Sequence, residues 1–189
     1  MGIQDLGIGF KLVEVLPPAF LVQVEYRLRE DIEVIGKSFQ DYYPGQLSHC
    51  YGCGRLNESG LHIQSYWDGE ESVCKYQPKP YHIAIPGYVY GGLIASLIDC
   101  HCTGTAAAAS YRAEGRAMGT EPALRFVTAS LHVDYLRPTP LVAPIQVRAS
   151  VKEIKGLKVT MAATLLADGV VCARGEVVAV RMPEHLVTK

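Results

Sequence analysis

The sequence predicts an α+β domain in which one antiparallel β-sheet wraps around a single long central helix. Three observations lead to this prediction: a long stretch of small and apolar residues with no internal proline, four later segments in which apolar and polar residues alternate, and short turn signals between those segments. Because such turns join strands into antiparallel hairpins, the helix is expected as one buried element rather than as a repeated parallel crossover.

The first two strands are expected within residues 61–77, joined at the hairpin dipeptide Asp68–Gly69. The helix is expected from Tyr88 to about Arg112, directly after Pro86–Gly87, and it must be buried because nearly all of its residues are small or apolar. The later strands are expected at Val127–Tyr135, Ile145–Val151, Val159–Leu165 and Val170–Val180, with turns at Lys155–Gly156 and Asp168–Gly169.

The chain divides into an expected N-terminal extension, residues 1–48, and a main domain, residues 49–189. Pro17–Pro18 interrupts the extension, and residues 20–35 mix apolar and charged side chains in a pattern that suits a solvated helix. We expect the extension to pack on the main domain and assign no function to it. A chain of 189 residues is long enough for one domain with a substantial core.

The composition indicates an ordinary folded protein of a reducing compartment. Hydrophobic residues make up 49%, charged residues 20%, and the net charge of −1 argues against a nucleic-acid partner. The start of the chain lacks the pattern of a signal peptide, and the apolar run at residues 84–98 is too short and interrupted to cross a membrane. The six cysteines lie mostly in apolar segments, so free thiols and a cytoplasmic location are expected.

Gly91 and Gly92 stand in the first turn of the expected helix. Each costs roughly 1 kcal/mol of stability relative to alanine. Without a Cβ atom, however, the free N–H groups of a helix start can approach a ligand closely. Those donors, helped by the helix dipole, suit a carbonyl oxygen that gains negative charge during acyl transfer.

Asp99 is the only carboxylate between Pro86 and Glu114, and it lies within the apolar helix. Two interpretations remain open for it. It is either a core aspartate satisfied by a neighbouring hydroxyl, or a general base or nucleophile for hydrolysis whose pKa is adjusted by burial.

The spacing of Gly91 and Asp99 predicts an oligomer if both act on one substrate. They are eight residues apart, about 12 Å along a helix. One carbonyl group cannot be held at the first and attacked at the second within one chain. Two antiparallel copies of the helix across a two-fold axis would bring Gly91 of one copy near Asp99 of the other, so the site requires at least a dimer.

Three motifs carry a resemblance to a known family. They are Gly91–Gly92 with Asp99 seven residues after the second glycine, a strand running from Thr128 to Arg137–Pro138, and the segment Cys50-Tyr-Gly-Cys-Gly-Arg-Leu-Asn57-Glu-Ser-Gly-Leu61. With them, the chain from Cys50 to the C-terminus resembles the hotdog-fold acyl-CoA thioesterase superfamily, particularly its phenylacetyl-CoA-type branch.

The resemblance implies a hotdog fold and hydrolysis of an acyl-CoA thioester to a free acid and coenzyme A, with no further cofactor, by a homodimer or a dimer of dimers. Asp99 would be the catalytic carboxylate, and the Gly91 and Gly92 amides would polarise the thioester carbonyl. Thr128 would help position the attacking water, although it also fits as an ordinary β-branched strand residue. Arg137, Lys155 and Lys158 would meet the coenzyme A phosphates, or they are solvated charges on turns.

Tyr90 departs from the family pattern, which has histidine at this place. Tyrosine still donates a hydrogen bond through its hydroxyl, but it is bulkier than imidazole. The substitution indicates either a retuned substrate pocket or the alternative function, a non-catalytic acyl-CoA-binding or structural hotdog protein.

Several competing motifs are weaker. Cys50-x-x-Cys53 with His49 suggests zinc, but a structural zinc site needs four ligands. Residues 100–102 (Cys-His-Cys) do not supply the missing pair, because neighbours on a helix point in different directions, and no metal is predicted. A redox pair lacks a βαβ context, and a Cys/His nucleophile lacks a local signature. His82 does not match the spacing of the hotdog dehydratases.

Overall fold

The computed structural model describes residues 36–187 and contains an antiparallel sheet of six strands around one long helix. The strand order is β1-β2-β6-β7-β8-β5, and β3 and β4 pair separately. The elements are β1 Tyr66–Asp68, β2 Glu71–Tyr76, β3 Ile83–Ile85, β4 Tyr88–Val89, α1 Gly91–Ala113, β5 Phe126–Tyr135, β6 Ile145–Lys155, β7 Lys158–Ala167, β8 Val170–Arg181 and α2 Glu184–Val187. This confirms the α+β architecture expected from the sequence.

The turn signals named in the sequence join the strands as expected. Gly69, Gly156 and Gly169 all have a positive φ, and Asp168 precedes the last of them with a φ of 46°. The β6–β7 hairpin extends past Val151, where the predicted strand ended, to Lys155. A register shift lies between Val151 and Glu153, and the hairpin tip beyond it is exposed. An exposed tip needs no alternation of apolar and polar residues, so its extent could not be predicted.

The helix begins three residues later than predicted. Tyr88 and Val89 form β4 instead, because Val89 N–H donates to the carbonyl of Thr139, 2.9 Å away, and β4 pairs with β3. Tyr90 is therefore the N-cap residue, with an extended backbone, and Gly91 is the first helical residue. Gly91 and Gly92 are thus the first two residues of the first turn of α1.

The second half of α1 forms the centre of the core. Every residue from Cys100 to Tyr111 is buried. The inner faces of β6, β7 and β8 cover it with side chains such as Val147, Met161 and Val177, none of which is exposed. Within residues 36–187, no helix combines the length and hydropathy needed to cross a bilayer.

Residues 36–48 pack against the main domain. Phe39 and Tyr43 are buried, and the Gln40 amide forms two hydrogen bonds with Ser65, of 2.8 and 3.1 Å. The segment predicted as a helix, residues 20–35, lies outside the described residues together with Pro17–Pro18. The division of the chain at residue 48 stays a prediction.

A buried polar network on α1 was missed by the sequence reasoning. The His101 ring lies 2.9 Å from the Ser65 hydroxyl through Nδ1 and 3.0 Å from the Ser72 hydroxyl through Nε2. The Ser72 hydroxyl also lies 2.6 Å from that of Thr105. Burial lowers the pKa of His101 to about 3, so the ring is neutral, and its hydrogen bonds join strand β2 and the segment before β1 to the helix.

Replacing His101 by leucine is expected to destabilise the fold by about 1–3 kcal/mol, because the buried hydroxyls of Ser65 and Ser72 lose a partner. His185→Leu is the matched control, since that side chain is exposed on α2, and it should change stability by less than about 0.5 kcal/mol. Urea denaturation of both variants measures the difference. Equal midpoints for the two would contradict a structural role for the network.

Candidate active site

Asp99 forms a hydrogen bond with Thr128 at the edge of the sheet. The Thr128 hydroxyl, exposed on β5, donates to Asp99 Oδ1. Burial raises the pKa of Asp99; the bond from Thr128 lowers it, and the nearby Cys50 thiolate raises it. Asp99 is only half-buried in one chain, and none of the salt bridges among residues 36–187 includes it. The carboxylate therefore has a hydroxyl partner and access to solvent, as a general base requires.

The amides of Gly91 and Gly92 begin the helix and have no intrahelical acceptor. Leu93 N–H donates to the Tyr90 carbonyl, whereas no turn or cap hydrogen bond in the described part of the chain comes from either glycine amide. Both residues are at least partly exposed. These N–H groups are therefore available to an external oxygen atom.

Two tyrosine rings lie against the glycines, and one of them was not anticipated. A Cβ atom on Gly91 would lie 3.3 Å from the Tyr135 ring, and one on Gly92 would collide with the Tyr90 ring. The Tyr135 hydroxyl donates to the Gly91 carbonyl at 2.9 Å. Packing of these two rings is therefore a second reason for glycine at both positions, beside the ligand access that the sequence predicts. Tyr135 ends β5 within the Thr128–Arg137 motif, which was the available signal.

The two halves of the predicted site occupy one open face of α1. Gly91, Gly92, Ala95, Ser96 and Asp99 recur at helical spacing and are the residues of the first half of α1 that are not buried. Along this face Gly91 and Asp99 remain about 12 Å apart, since they belong to one helix. One chain brings Thr128 to Asp99, and Tyr90 and Tyr135 to the glycines, but it does not join the two groups.

The predicted phosphate-binding residues do not form one cluster within a chain. The Arg137 guanidinium donates to the Val171 carbonyl at the start of β8, at 2.9 Å. Lys158 pairs with Val180 near the other end of β8, and Lys155 faces Lys158 across the hairpin. Val171 and Val180 are nine residues apart on one strand, or about 30 Å. Arg137 and the two lysines therefore lie at opposite ends of the sheet.

A third cysteine joins the Cys50-x-x-Cys53 pair in space. The Sγ atoms of Cys50, Cys53 and Cys100 all lie within 4.8 Å of one another. His49, the ligand considered with that pair, is not part of the group. The sequence analysis excluded residues 100–102 as a second pair of ligands because neighbours on a helix point in different directions. In the structure, Cys100 is the one of these three residues that lies beside Cys50 and Cys53. Spacing along the chain contained no signal for this contact.

The comparisons with known proteins point to one family. The family model of the thioesterase superfamily matches residues 86–173, which contain the glycines, Asp99 and Thr128. A solved thioesterase superfamily protein from Shewanella loihica is 45% identical, with a TM-score of 0.56, and the match covers 73% of this chain and 97% of that one. The chain belongs to the thioesterase superfamily.

Other similarities are more partial. Acyl-coenzyme A thioesterase THEM4 from Rattus norvegicus is 32% identical over 124 residues, 64% of this chain and 48% of that protein. The corresponding protein from Xenopus laevis is 38% identical over 87 residues, 33% of its length. The chain thus spans a third to about half of these curated relatives. The PaaI protein from Escherichia coli, at 15% identity and a TM-score of 0.53, shares the fold.

Replacing Asp99 by asparagine is expected to leave the thermal stability at neutral pH unchanged or higher. The pKa of Asp99 is raised in the folded chain, so its stabilising contribution is complete below the unfolded pKa, about 4, and is lost as the pH rises through the folded pKa. Asparagine keeps an acceptor for Thr128 without the charge. Melting curves between pH 4 and pH 8 measure the difference in melting temperature between the variant and the wild type. This difference should grow as the pH rises. A difference that grows as the pH falls would contradict a raised pKa of Asp99 in the folded chain.

Proposed function

We propose that the chain hydrolyses an acyl-CoA thioester to a free acid and coenzyme A, as a homodimer whose sites are shared between protomers. The pairing of the Asp99 carboxylate with the Thr128 hydroxyl, on the same open helix face as the amides of Gly91 and Gly92, is the observation that carries this proposal. Membership of the thioesterase superfamily supports the reaction class. Coenzyme A is part of the substrate, and no further cofactor is required.

The free edge of β5 supports the dimer. It is a long edge strand that exposes apolar side chains, including Val127 at 49%, Leu131 at 37% and Tyr135 at 55%. Such an edge is a template for pairing with another strand. If two copies of β5 pair antiparallel about an axis between Leu131 and His132, Thr128 lies opposite the partner's Tyr135.

That register assembles the site from two chains. Thr128 contacts Asp99, and Tyr135 contacts Gly91, so both ends of β5 are tied to α1. Placing Thr128 opposite the partner's Tyr135 therefore places Asp99 near the partner's Gly91. The 12 Å separation within one chain is replaced by a contact between chains. Each dimer has two such sites by symmetry.

The mechanism follows from these groups. Asp99 takes a proton from a water molecule positioned by Thr128, and the water oxygen bonds to the thioester carbon. The N–H groups of Gly91 and Gly92 hold the oxyanion of the tetrahedral intermediate. When the C–S bond breaks, the thiolate of coenzyme A takes the proton from Asp99. In the alternative route Asp99 attacks first, and water hydrolyses the resulting anhydride.

The cationic residues support recognition of coenzyme A phosphates. In the antiparallel dimer, the partner's Arg137 lies beside the start of β5, at the end of the sheet that also carries Lys158. Three interstrand steps, about 14 Å, separate the two backbones. The proposed dimer therefore brings Arg137 of one chain and Lys158 of the other to the same end of the sheet, with Lys155 next to Lys158. The six free cysteines agree with a reducing, cytoplasmic location.

Tyr90 supports the alternative function, binding of acyl-CoA without turnover. Its ring packs against Gly92, beside the amide that would hold the oxyanion. Its hydroxyl could replace the hydrogen bond of a histidine or narrow the acyl pocket. Catalysis and simple binding differ in one measurable property, thiol release.

The first experiment measures thiol release from short, long and aryl acyl-CoAs with a thiol reagent. Asp99→Asn is expected to reduce kcat by about 10²–10⁴-fold, because the general base is lost while the hydrogen-bond acceptor remains. Thr128→Val should reduce it by roughly 10–100-fold, and Ser130→Ala, an exposed neighbour on β5, should leave it unchanged. Absence of release by the wild type on every substrate would support the binding alternative.

A complementation experiment tests the shared site. Gly91→Pro removes one amide donor at the first helical position, where the backbone suits proline, and the extended Tyr90 backbone suits the residue before it. The Tyr135 ring, 3.3 Å from the new Cβ, must move by a few tenths of an ångström, so the melting temperature of the variant is measured as the control. Co-expression of Gly91→Pro and Asp99→Asn chains gives heterodimers with one intact site. Random pairing should restore about a quarter of the wild-type activity. Recovery no greater than that of the separate variants would contradict a site built from two chains.

A further inference from the structure

The three-cysteine cluster of Cys50, Cys53 and Cys100 is not used by the proposed hydrolysis. The Sγ atoms of Cys50 and Cys100 are 3.8 Å apart, and all three sulfur atoms lie within 4.8 Å of one another. A tetrahedral zinc ion with Zn–S bonds of about 2.3 Å has sulfur ligands about 3.8 Å apart. The cluster thus has the dimensions of a thiolate metal site.

The backbone around the first two cysteines forms a tight turn. The Gly54 N–H donates to the Cys50 carbonyl at 2.8 Å, which brings Cys50 and Cys53 to the same side of the loop, facing Cys100. A Cβ atom on Gly52 would collide with the Cys100 sulfur, and one on Gly54 would lie 2.5 Å from Cys50 N. Glycine at both positions permits the loop to close on α1.

A buried arginine supplies an independent observation. Arg125 is 8% exposed and stacks on the Tyr43 ring, with 3.6 Å from its guanidinium carbon to the ring centroid. Its Nη2 lies 4.0 Å from the Cys53 sulfur, and Nη1 has no hydrogen-bond partner among the described residues. No carboxylate in residues 36–187 forms a salt bridge with it. A buried guanidinium requires a negative partner, and the cluster is the group beside it.

We propose that Cys50, Cys53 and Cys100 bind one Zn²⁺ ion as three thiolates, with a solvent water completing the four ligands beside the exposed Cys50. Binding releases the thiol protons to solvent, and the resulting site carries one negative charge, which Arg125 balances. The ion fastens the loop that begins at Cys50 to the middle of α1. Its role is structural and does not depend on the proposed hydrolysis.

Geometry favours a metal over a disulfide as the resting state of the cluster. A disulfide that includes Cys53 would remove the thiolate beside Arg125, and one between Cys50 and Cys100 would pull their sulfurs from 3.8 Å to about 2.05 Å. Either bond would leave the third cysteine as an isolated thiol. Three thiolates around one ion use all three cysteines and satisfy the buried cation.

The test is zinc content and affinity of the full-length chain, reduced, freed of metal and reloaded with Zn²⁺ alone. The wild type should retain one zinc per chain after gel filtration. Cys50→Ser, Cys53→Ser and Cys100→Ser should each weaken Zn²⁺ binding by more than the ~10–100-fold that follows loss of an outer-shell partner. Cys172→Ser is the matched control, since that buried thiol is outside the cluster, and it should retain zinc.

Two readouts keep the result independent of folding and of activity. Co²⁺ in place of zinc should give a thiolate charge-transfer band in the wild type and in Cys172→Ser, and a weaker one in Cys50→Ser. Cys50 is exposed, so this variant is the one most certain to fold. Zinc should also raise the melting temperature of the wild type but not of Cys50→Ser. A wild type that retains no zinc, or variants that retain it as the wild type does, would overturn the proposal.

Discussion

The constraint on which the structure depends is that an almost wholly apolar helix must be kept from water. Strands β2 and β5–β8 curve around α1, and together with residues 39–43 and the loop at Cys50 they bury its second half, from Cys100 to Tyr111. The first half is covered only in part, and its face bearing Gly91, Ser96 and Asp99 is left open beside the edge strand β5. The candidate site therefore lies where the sheet ends, at the same uncovered edge where the proposed second copy of the chain would pair.

The local sequence pattern was sufficient to predict the fold. The start of the helix and some site contacts depend on tertiary contacts, which the pattern does not contain. The strands of the β6–β7–β8 meander follow from alternation and turn residues, both of which act over a few positions. The start of α1 was misplaced because Val89 is held extended by Thr139, fifty residues later in the chain. Likewise Asp99 stood out as a lone carboxylate, whereas Tyr135 and Cys100 were missed, since only the folded chain brings them to Gly91 and Cys50.

Asp99 shows how the site departs from the rules that govern the rest of the helix. A serine or alanine at this position would suit the open face of α1 without cost. A carboxylate instead meets partial burial that raises its pKa and has no cation to offset it among the described residues. The hydroxyl of Thr128 compensates only in part. A group that stabilises the fold least when it is ionised is better explained by chemistry than by packing.

The cysteine cluster and the carboxylate are linked through the rotation of one helix. Asp99 and Cys100 are neighbours on α1, so their side chains point about 100° apart, one toward β5 and the other toward the loop at Cys50. Any bond that fixes Cys100 against this loop also fixes the rotation of α1, and with it the direction in which Asp99 meets Thr128. The contacts of His101 with Ser65 and Ser72 already oppose rotation of α1 about its axis. A thiolate clamp at Cys100 would add to that resistance directly beside Asp99, the residue of the proposed chemistry.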